Sequence, residues 1–446
     1  MDQRKSSVGI SLKHLYDNSS RFPPSSLAKT GSHEDALRSA YLEFFSASTG
    51  NPVTSFPTPS SAAIQAWHMS LTNALSEEIQ TQIIDSLDPN FHIGQEKRIR
   101  VLGFVTKVAE LLRESPHGSI QFIAKKLADD TVSNASENSR VPYAACIFAC
   151  VGWATSMYKA DPQQGKPLAI DTQGAPCFSA PDLLPSFVTR SVGEILGNMG
   201  DDVLPRSSST STPLLETKPP SKLYVARLNF ATLSQLADAK IVWIDTVSGH
   251  LNFDMASQTL FLFRFPSFCE LHASRNSVMA GILNSYSSAQ FTVQGMMGEI
   301  LMSYALIFKL NTRAQQLYKK EKAKPSNQLT DPLLDSLCLD NSENSLRNLL
   351  LGLFSPKKES FEADAEFPIL SQRLLRIQNY IDGIPTNRIS SLWKDRRDMS
   401  RWYTFWAVIW FGGASIFFSI IQTALAAESV KLAREQLKAQ INPPQS

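Results

Sequence analysis

The chain has 446 residues, 43% of them hydrophobic, with a formal net charge of +2. That length suits one large domain or two, and that apolar share can bury a real core. A charge so close to zero gives no global argument for nucleic acid or acidic partners, and five sparse cysteines argue against a disulfide framework and fit a reducing compartment.

The N-terminal stretch MDQRKSSVGISLKHL has no apolar run, so it does not read as a secretory signal. Asp2 and Asp17 interrupt any presequence-like amphipathic pattern. Residues 1–31 are Ser-rich, carry Pro23 and Pro24, and read as disordered. A helical domain is predicted over 32–197. Ser32 is its N-cap, with Asp35 three residues on, and Leu37, Tyr41, Phe44 and Phe45 share one face. The Pro/Gly/Ser stretch TGNPVTSFPTPSS is a loop. Amphipathic helices are then predicted from Ser61 to Leu87, Gln95 to Arg113 and Ser119 to Leu127. The uncharged run Val141 to Tyr158 reads as a central buried helix. At about 18 residues it sits at the lower limit for a membrane span, and that alternative stays open.

Residues 198–222, with PRSSSTSTPLLETKPPSK, form a low-complexity linker. Strand patterns follow within 223–322: Leu223 to Leu228, Ile241 to Ile244, Leu251 to Asp254, and Thr259 to Phe265. MASQ between the last two makes a hairpin loop, and the density of LFLFRF requires both of its faces to be covered. Thr232 to Ala237 is a short helix, and Asn276 to Lys322 reads as long helices. Residues 323–366 form a variable connector with a short helix near Ser345 to Phe354, and 367–401 form juxtamembrane helices.

The segment Trp402 to Ala427, WYTFWAVIWFGGASIFFSIIQTALAA, contains no charged residue. Its roughly 26 residues make a helix of about 39 Å, longer than the ~30 Å apolar core of a bilayer. We read it as a transmembrane helix, followed by a short polar stretch over 428–446. Arg396 and Arg397 on its N-terminal side, with Trp402, Tyr403 and Trp406, are the expected interface anchors. Basic density is higher and closer on that side, which predicts a cytoplasmic N-terminal region. Lys431, Arg434 and Lys438 beyond the span are interleaved with Glu428 and Glu435. So late a span predicts post-translational insertion, and its length favours the endoplasmic reticulum or another endomembrane over the mitochondrial outer membrane. Gly412, Ser415 and Ser419, with Thr423, fall on one face that would let a second helix approach closely. Val430, Ala433, Leu437 and Ile441 continue a helical stripe past it.

Chemistry-bearing constellations are weak. Cys146 and Cys150 are one helical turn apart, and Cys269 and His272 form Cys-x-x-His, but the pairs come from distant segments without tight zinc turns. Buried cysteines are the better reading, so no metal and no cofactor is assigned. His250 and Asp254, if on one strand, would lie about 13 Å apart, too far to pair. His250 then serves as a hydrogen-bonding residue near a turn. No phosphate-cradling glycine loop and no His-Glu-x-x-His occurs. Arg227, Lys240 and Arg264 are too few to track phosphates, so no nucleic acid is expected. The fold class predicted is α+β and predominantly α-helical: a soluble helical region with a small β-hairpin subdomain, then one C-terminal transmembrane helix. The expected role is a membrane-tethered interaction or scaffold protein. Its partners are the bilayer and, through the span, another protein or a second copy; a membrane-bound enzyme with a dispersed site, or an accessory subunit of a membrane complex, is the rival reading.

Three stretches carry a resemblance: VPYAACIFACVGWAT, IVWIDTVSGHLNFD with TLFLFRFPSFC, and WKDRRDMSRWYTFWAVIWFGG. With gaps between 95 and 427, they resemble a group of uncharacterised membrane-anchored proteins of filamentous fungi. The resemblance implies a fungal source and a C-terminal membrane helix, and it carries over no catalytic residue, substrate or cofactor.

Overall fold

The computed structural model describes residues 33–50, 95–131, 140–161, 168–170, 185–198, 221–273, 276–284, 291–327, 329, 331–339, 358–384 and 399–441. The chain divides into two units, Met1–Gly383 and Ile384–Ser446. It is mostly helical, with a small sheet region and one long apolar C-terminal helix, as the sequence predicts. The expected helix over 61–87, the disordered start, Cys177, most of the linker, the short helix near 345–354, and Arg396 and Arg397 lie outside the described residues.

Four helices open the first unit: α1 (His33–Thr49), α2 (Gln95–Glu114), α3 (Ile120–Thr131) and α4 (Arg140–Thr155). Their apolar periodicity explains the packing. Phe44 and Phe45 of α1 and Leu102, Val105, Val108 and Leu112 of α2 are fully buried where the two helices meet. α4 lies against α2 and α3, with Ile147, Phe148 and Val151 buried. At 16 residues α4 is short for a span and is covered by protein, so it is a core helix. Tyr158 closes its end, stacking on Phe148 with ring centroids 4.4 Å apart and donating its hydroxyl to the Phe148 carbonyl at 2.7 Å.

Gly50 ends α1 at φ +70°, its N–H donating to the Ser46 carbonyl at 3.0 Å. A left-handed residue here is the usual helix stop, and glycine adopts it without a Cβ penalty. It also permits a close approach, because a Cβ at Gly50 would stand 2.2 Å from the Asn276 carbonyl oxygen. This contact joins α1 to the start of a later helix, and the same helix packs on α1, α2 and α4.

A seven-residue helix, α5 (Val192–Asn198), precedes the sheet region. There the chain forms β1 (Lys222–Tyr224), α6 (Val225–Leu228), α7 (Phe230–Leu236), β2 (Lys240–Ile244), β3 (Phe253–Asp254) and β4 (Thr259–Phe263). The predicted strand over 223–228 is thus only its first half. Val225 onward turns helical, and Asn229 accepts from the Thr232 N–H at 3.0 Å to start α7. The predicted strand over 251–254 is likewise shorter, because Leu251 is left-handed at φ +64° and breaks the extended run. The Met255–Gln258 loop does join β3 and β4 as an antiparallel hairpin. β2, however, pairs with β4 in parallel, giving the order β2-β4-β3. Every residue of β4 is buried, and a strand covered on both faces belongs at the centre.

The remaining elements are α8 (Pro266–His272), α9 (Val278–Asn284), α10 (Val293–Tyr304), α11 (Thr312–Lys322), α12 (Pro332–Cys338), β5 (Ser360–Glu362), α13 (Ala363–Glu366), α14 (Ser371–Gly383) and α15 (Met399–Ile441). The apolar stretch predicted as long helices is divided. A π-helical turn over Ala305–Lys309 follows α10, and Asn311 caps α11 by accepting from the Arg313 and Ala314 N–H groups. α10 is the central helix of this half, in contact with α8, α9 and α12. β5 pairs with β1, and α14 packs on β1, β3 and α6.

Gly50→Ala tests the α1 stop. The added methyl meets a backbone oxygen and takes on a left-handed backbone, so we expect a loss of about 1–3 kcal/mol in stability. Chemical denaturation of the detergent-solubilised chain measures it; an unchanged midpoint would show that the two segments do not depend on this approach.

Candidate functional site

α15 runs 43 residues without interruption. At 1.5 Å per residue that is about 65 Å, roughly twice the apolar core of a bilayer. Its Tyr403–Lys438 stretch is long and apolar enough to cross a membrane, and its most apolar window buries nothing within the protein. Val408, Trp410, Phe411, Ile416, Phe417 and Phe418 are all exposed. Water-soluble helices bury one stripe and expose the other face; here, from Ala407 to Ala427, every residue is exposed and none is charged. Ser415, Ser419 and Thr423 would otherwise be polar intrusions. Each donates its hydroxyl to the carbonyl four residues back, Phe411, Ser415 and Ser419, at 2.8–2.9 Å.

The predicted interface and packing residues fall on this helix as follows. Trp402 is in its first turn, Tyr403 is exposed and Trp406 is half-buried. Gly412 has open space where a Cβ would sit. Ser415 and Ser419, with Ile416, Ile420, Thr423 and Ala424, line a shallow groove down one side.

The polar residues of the first unit hold the fold together. His250 is fully buried. Its Nδ1 lies 3.2 Å from the backbone N–H of Phe263, which can only donate, so Nδ1 accepts. The neutral ring therefore carries its proton on Nε2 and donates it to Ser303 Oγ at 2.7 Å; Ser303 in turn donates to the Ile300 carbonyl. Burial, with the Arg373 guanidinium nearby, lowers the His250 pKa to about 3. Arg373 is fixed by donating to the carbonyls of Ser248 and His250 at 2.6 and 2.7 Å. Both ring nitrogens are thus engaged. Asp254 is separate from this cluster. It accepts from the Ala256 N–H and the Ser257 hydroxyl within the hairpin loop, and these bonds lower its pKa, the Ser257 hydroxyl most.

One turn before Ser303 on α10 sits Glu299. It is buried and accepts from the N–H groups of Ile369 and Leu370 at 2.7–3.1 Å, covering the chain entry to α14. Burial pushes its carboxyl up to about 8, against the pull of those donors. Asp331 bridges two helix starts. It accepts from the Ser267 N–H and hydroxyl at 2.9 and 2.6 Å on α8, and from the Leu333 N–H at 2.9 Å on α12. Burial raises it to about 6, and burial next to Asp331 raises Glu270 to about 7. Cys146, Cys150, Cys269 and Cys338 are buried and in no disulfide. Burial raises the thiols of Cys150, Cys269 and Cys338 well above their ordinary value. His272 is buried and stacks on Phe268 at 4.1 Å. Among the described residues, no group of three or more His, Cys, Asp or Glu could hold a metal ion.

Sequence spacing brought forward His250 but not Glu299, Arg373 or Asp331. Glu299 did leave a signal: it is the single charged residue between Ser277 and Phe308, and a lone charge in an apolar run has to find buried partners. The partners of Arg373 lie more than 120 positions away, beyond any spacing rule. No family model, curated protein or solved structure matches the chain.

The Glu299 environment sets a pH dependence. Its folded pKa of about 8 lies above the ordinary 4.5, so the folded chain holds the proton more tightly than the unfolded one. Its contribution is complete below pH 4.5 and is lost as pH rises towards 8. Glu299→Gln, which keeps the accepting oxygen and cannot ionise, should flatten the fall in stability between about pH 5 and 8. Denaturant midpoints across that range measure it, and identical profiles for the two chains would refute the assignment.

Proposed function

We propose that this chain is a membrane-tethered, non-enzymatic interaction protein, held at a lipid surface by α15. The observation that carries the reading is the exposure of that helix on all sides, from Val408 to Leu425. Placing a Val, Leu, Ile or Phe side chain in contact with apolar surroundings stabilises it by roughly 1.5–3 kcal/mol relative to water, and hydrocarbon supplies such surroundings around the whole circumference. Tyr403 and Trp406 at the start of the helix suit headgroup level, and the basic residues before it favour a cytoplasmic N-terminal region. The span's length favours an endomembrane such as the endoplasmic reticulum. A fungal source, from the resemblance above, is part of the same reading.

In the first unit, the buried polar groups described above hold the fold together. His250, Glu299 and Asp331 are buried and engaged with backbone groups, and Asp254 shapes a loop. A tethered domain gains effective concentration at the surface, so weak contacts suffice there.

Two variants test the tether. Ending the chain before Trp402 should move it from the carbonate-resistant membrane fraction to the soluble one. In the full chain, Ile416→Arg with Ile420→Arg places two charges at mid-span, each costing about 2.5–3.5 kcal/mol on insertion scales, and should do the same. If the intact chain leaves membranes in carbonate as readily as these variants, the proposal is wrong.

A further inference from the structure

We propose that α15 pairs with α15 of a second copy, in parallel and in register, along a seam that runs through the span and continues past it. The inference rests on the membrane reading above and names the partner for it. Because α15 is one unbroken helix from Met399 to Ile441, faces can be followed from the apolar stretch into the charged one. A heptad fits both. Ile409, Ile416, Thr423, Val430 and Leu437 recur every seven residues, and Gly412, Ser419, Ala426 and Ala433 fall three after the first four of them. The first set is largely β-branched, the preference of two-stranded parallel coils; the second is small throughout, letting backbones come close.

The largest rings and most charges of the helix lie off this seam, although Leu432, 57% exposed, lies off it too. The large rings of Trp410, Phe411, Phe417 and Phe418 occupy positions facing away from it. In the stretch beyond Ala427, Glu428, Lys431, Glu435 and Lys438 also fall on the outer positions. Of the positions flanking the seam between Gly413 and Gln436, Arg434 alone is charged. Charges at flanking positions set partner choice, and like charges that face each other repel; with Arg434 alone charged there, a second copy meets little repulsion. The shallow groove lined by Ser415, Ile416, Ser419 and Thr423 lies on this side. Val430 and Leu437 lie beyond the span, where no hydrocarbon covers them, and both are more than half exposed on the protein. They are the part of the seam that a bilayer alone leaves wet.

Size limits how the occupant can arrive. A strip from Ile409 to Leu437 is about 42 Å long and roughly 10 Å wide, a few hundred Å² per chain. A stable soluble interface needs about 800 Å² per partner. The occupant must therefore arrive already aligned and concentrated. Insertion gives every copy of this chain the same direction and the same depth, which sets a parallel, in-register encounter.

The test uses the full chain in vesicles, labelled at Ser446 with donor or acceptor dye, with energy transfer compared with that of randomly placed labels at the same density. The wild-type chain should exceed the random level. Val430→Glu with Leu437→Glu leaves the span intact and should drop transfer to the random level, while Lys431→Glu with Lys438→Glu, on the outer face, should keep it. Flotation with the vesicles is scored in parallel. A chain that does not float overturns the membrane reading and this inference with it. A floating wild-type chain at the random level overturns the pairing alone, as does transfer that survives the seam variant or falls equally in the outer-face variant.

Discussion

Apolar surface with nothing of the protein to cover it is the constraint from which the rest of this molecule follows. Between Val408 and Leu425, ten large apolar side chains of α15 are exposed. At 1.5–3 kcal/mol for each fully covered side chain, and with several only part exposed, the free energy at stake in water is on the order of 10–20 kcal/mol. That equals or exceeds the whole net stability of a typical domain, about 5–15 kcal/mol. A helix of this kind is favoured where its surroundings are apolar, and it is long enough to cross a membrane. The same segment satisfies the second demand of such surroundings, because its backbone bonds are internal and its three hydroxyls donate back along the helix.

The first unit solves the opposite problem. It buries polar groups and gives several of them partners within the protein. α10 shows how: Glu299, Ser303 and Tyr304 leave one stretch of helix toward three different segments. Glu299 meets the backbone before α14, Ser303 meets His250, and Tyr304 donates to the carbonyl of Phe263 in β4. These bonds fix how α10, the sheet and α14 meet, in a way that apolar contact does not. They also engage His250 on both sides of its ring. A histidine whose two nitrogens face a backbone N–H and a serine hydroxyl, with a guanidinium close by, is held neutral and has no lone pair left for a substrate.

What was legible in the sequence was whatever depends on nearest neighbours along the chain. The periodicity of α2, the uncharged run of α4, the hairpin loop at Met255–Gln258 and the apolar helix all lie within a window of some 20 residues, and each is found where its pattern stands. The parallel pairing of β2 with β4 was not legible, because nothing local distinguishes a strand that pairs with its hairpin partner from one that also takes a parallel neighbour. Leu251 was misleading for a different reason. A leucine reads as strand, yet here it is left-handed, held by burial and by its N–H donating to the Phe261 carbonyl at 2.9 Å. That conformation costs about 1–2 kcal/mol, and tertiary contact offsets it. The turn it makes directs His250 into the core, which is why His250 and Asp254 part company instead of sharing a strand face.

The length of α15 adds a mechanical consequence. About 20 residues suffice to cross the hydrocarbon, yet the helix continues without a break through Glu428 to Ile441. No proline or glycine interrupts it after Gly413, so none of the usual causes of a kink is present at the point where it would leave the bilayer. A face that begins in the apolar stretch is therefore followed into the charged one, at about 20° of drift per heptad relative to a strict seven-residue repeat. Over the four heptad steps from Ile409 to Leu437 that drift amounts to roughly 80° in a straight helix, which would turn Val430 and Leu437 away from the face that Ile409 begins. A gentle left-handed winding of one helix about another removes it. In the pairing proposed above, side chains of the apolar stretch and of the charged stretch would then meet the same neighbour.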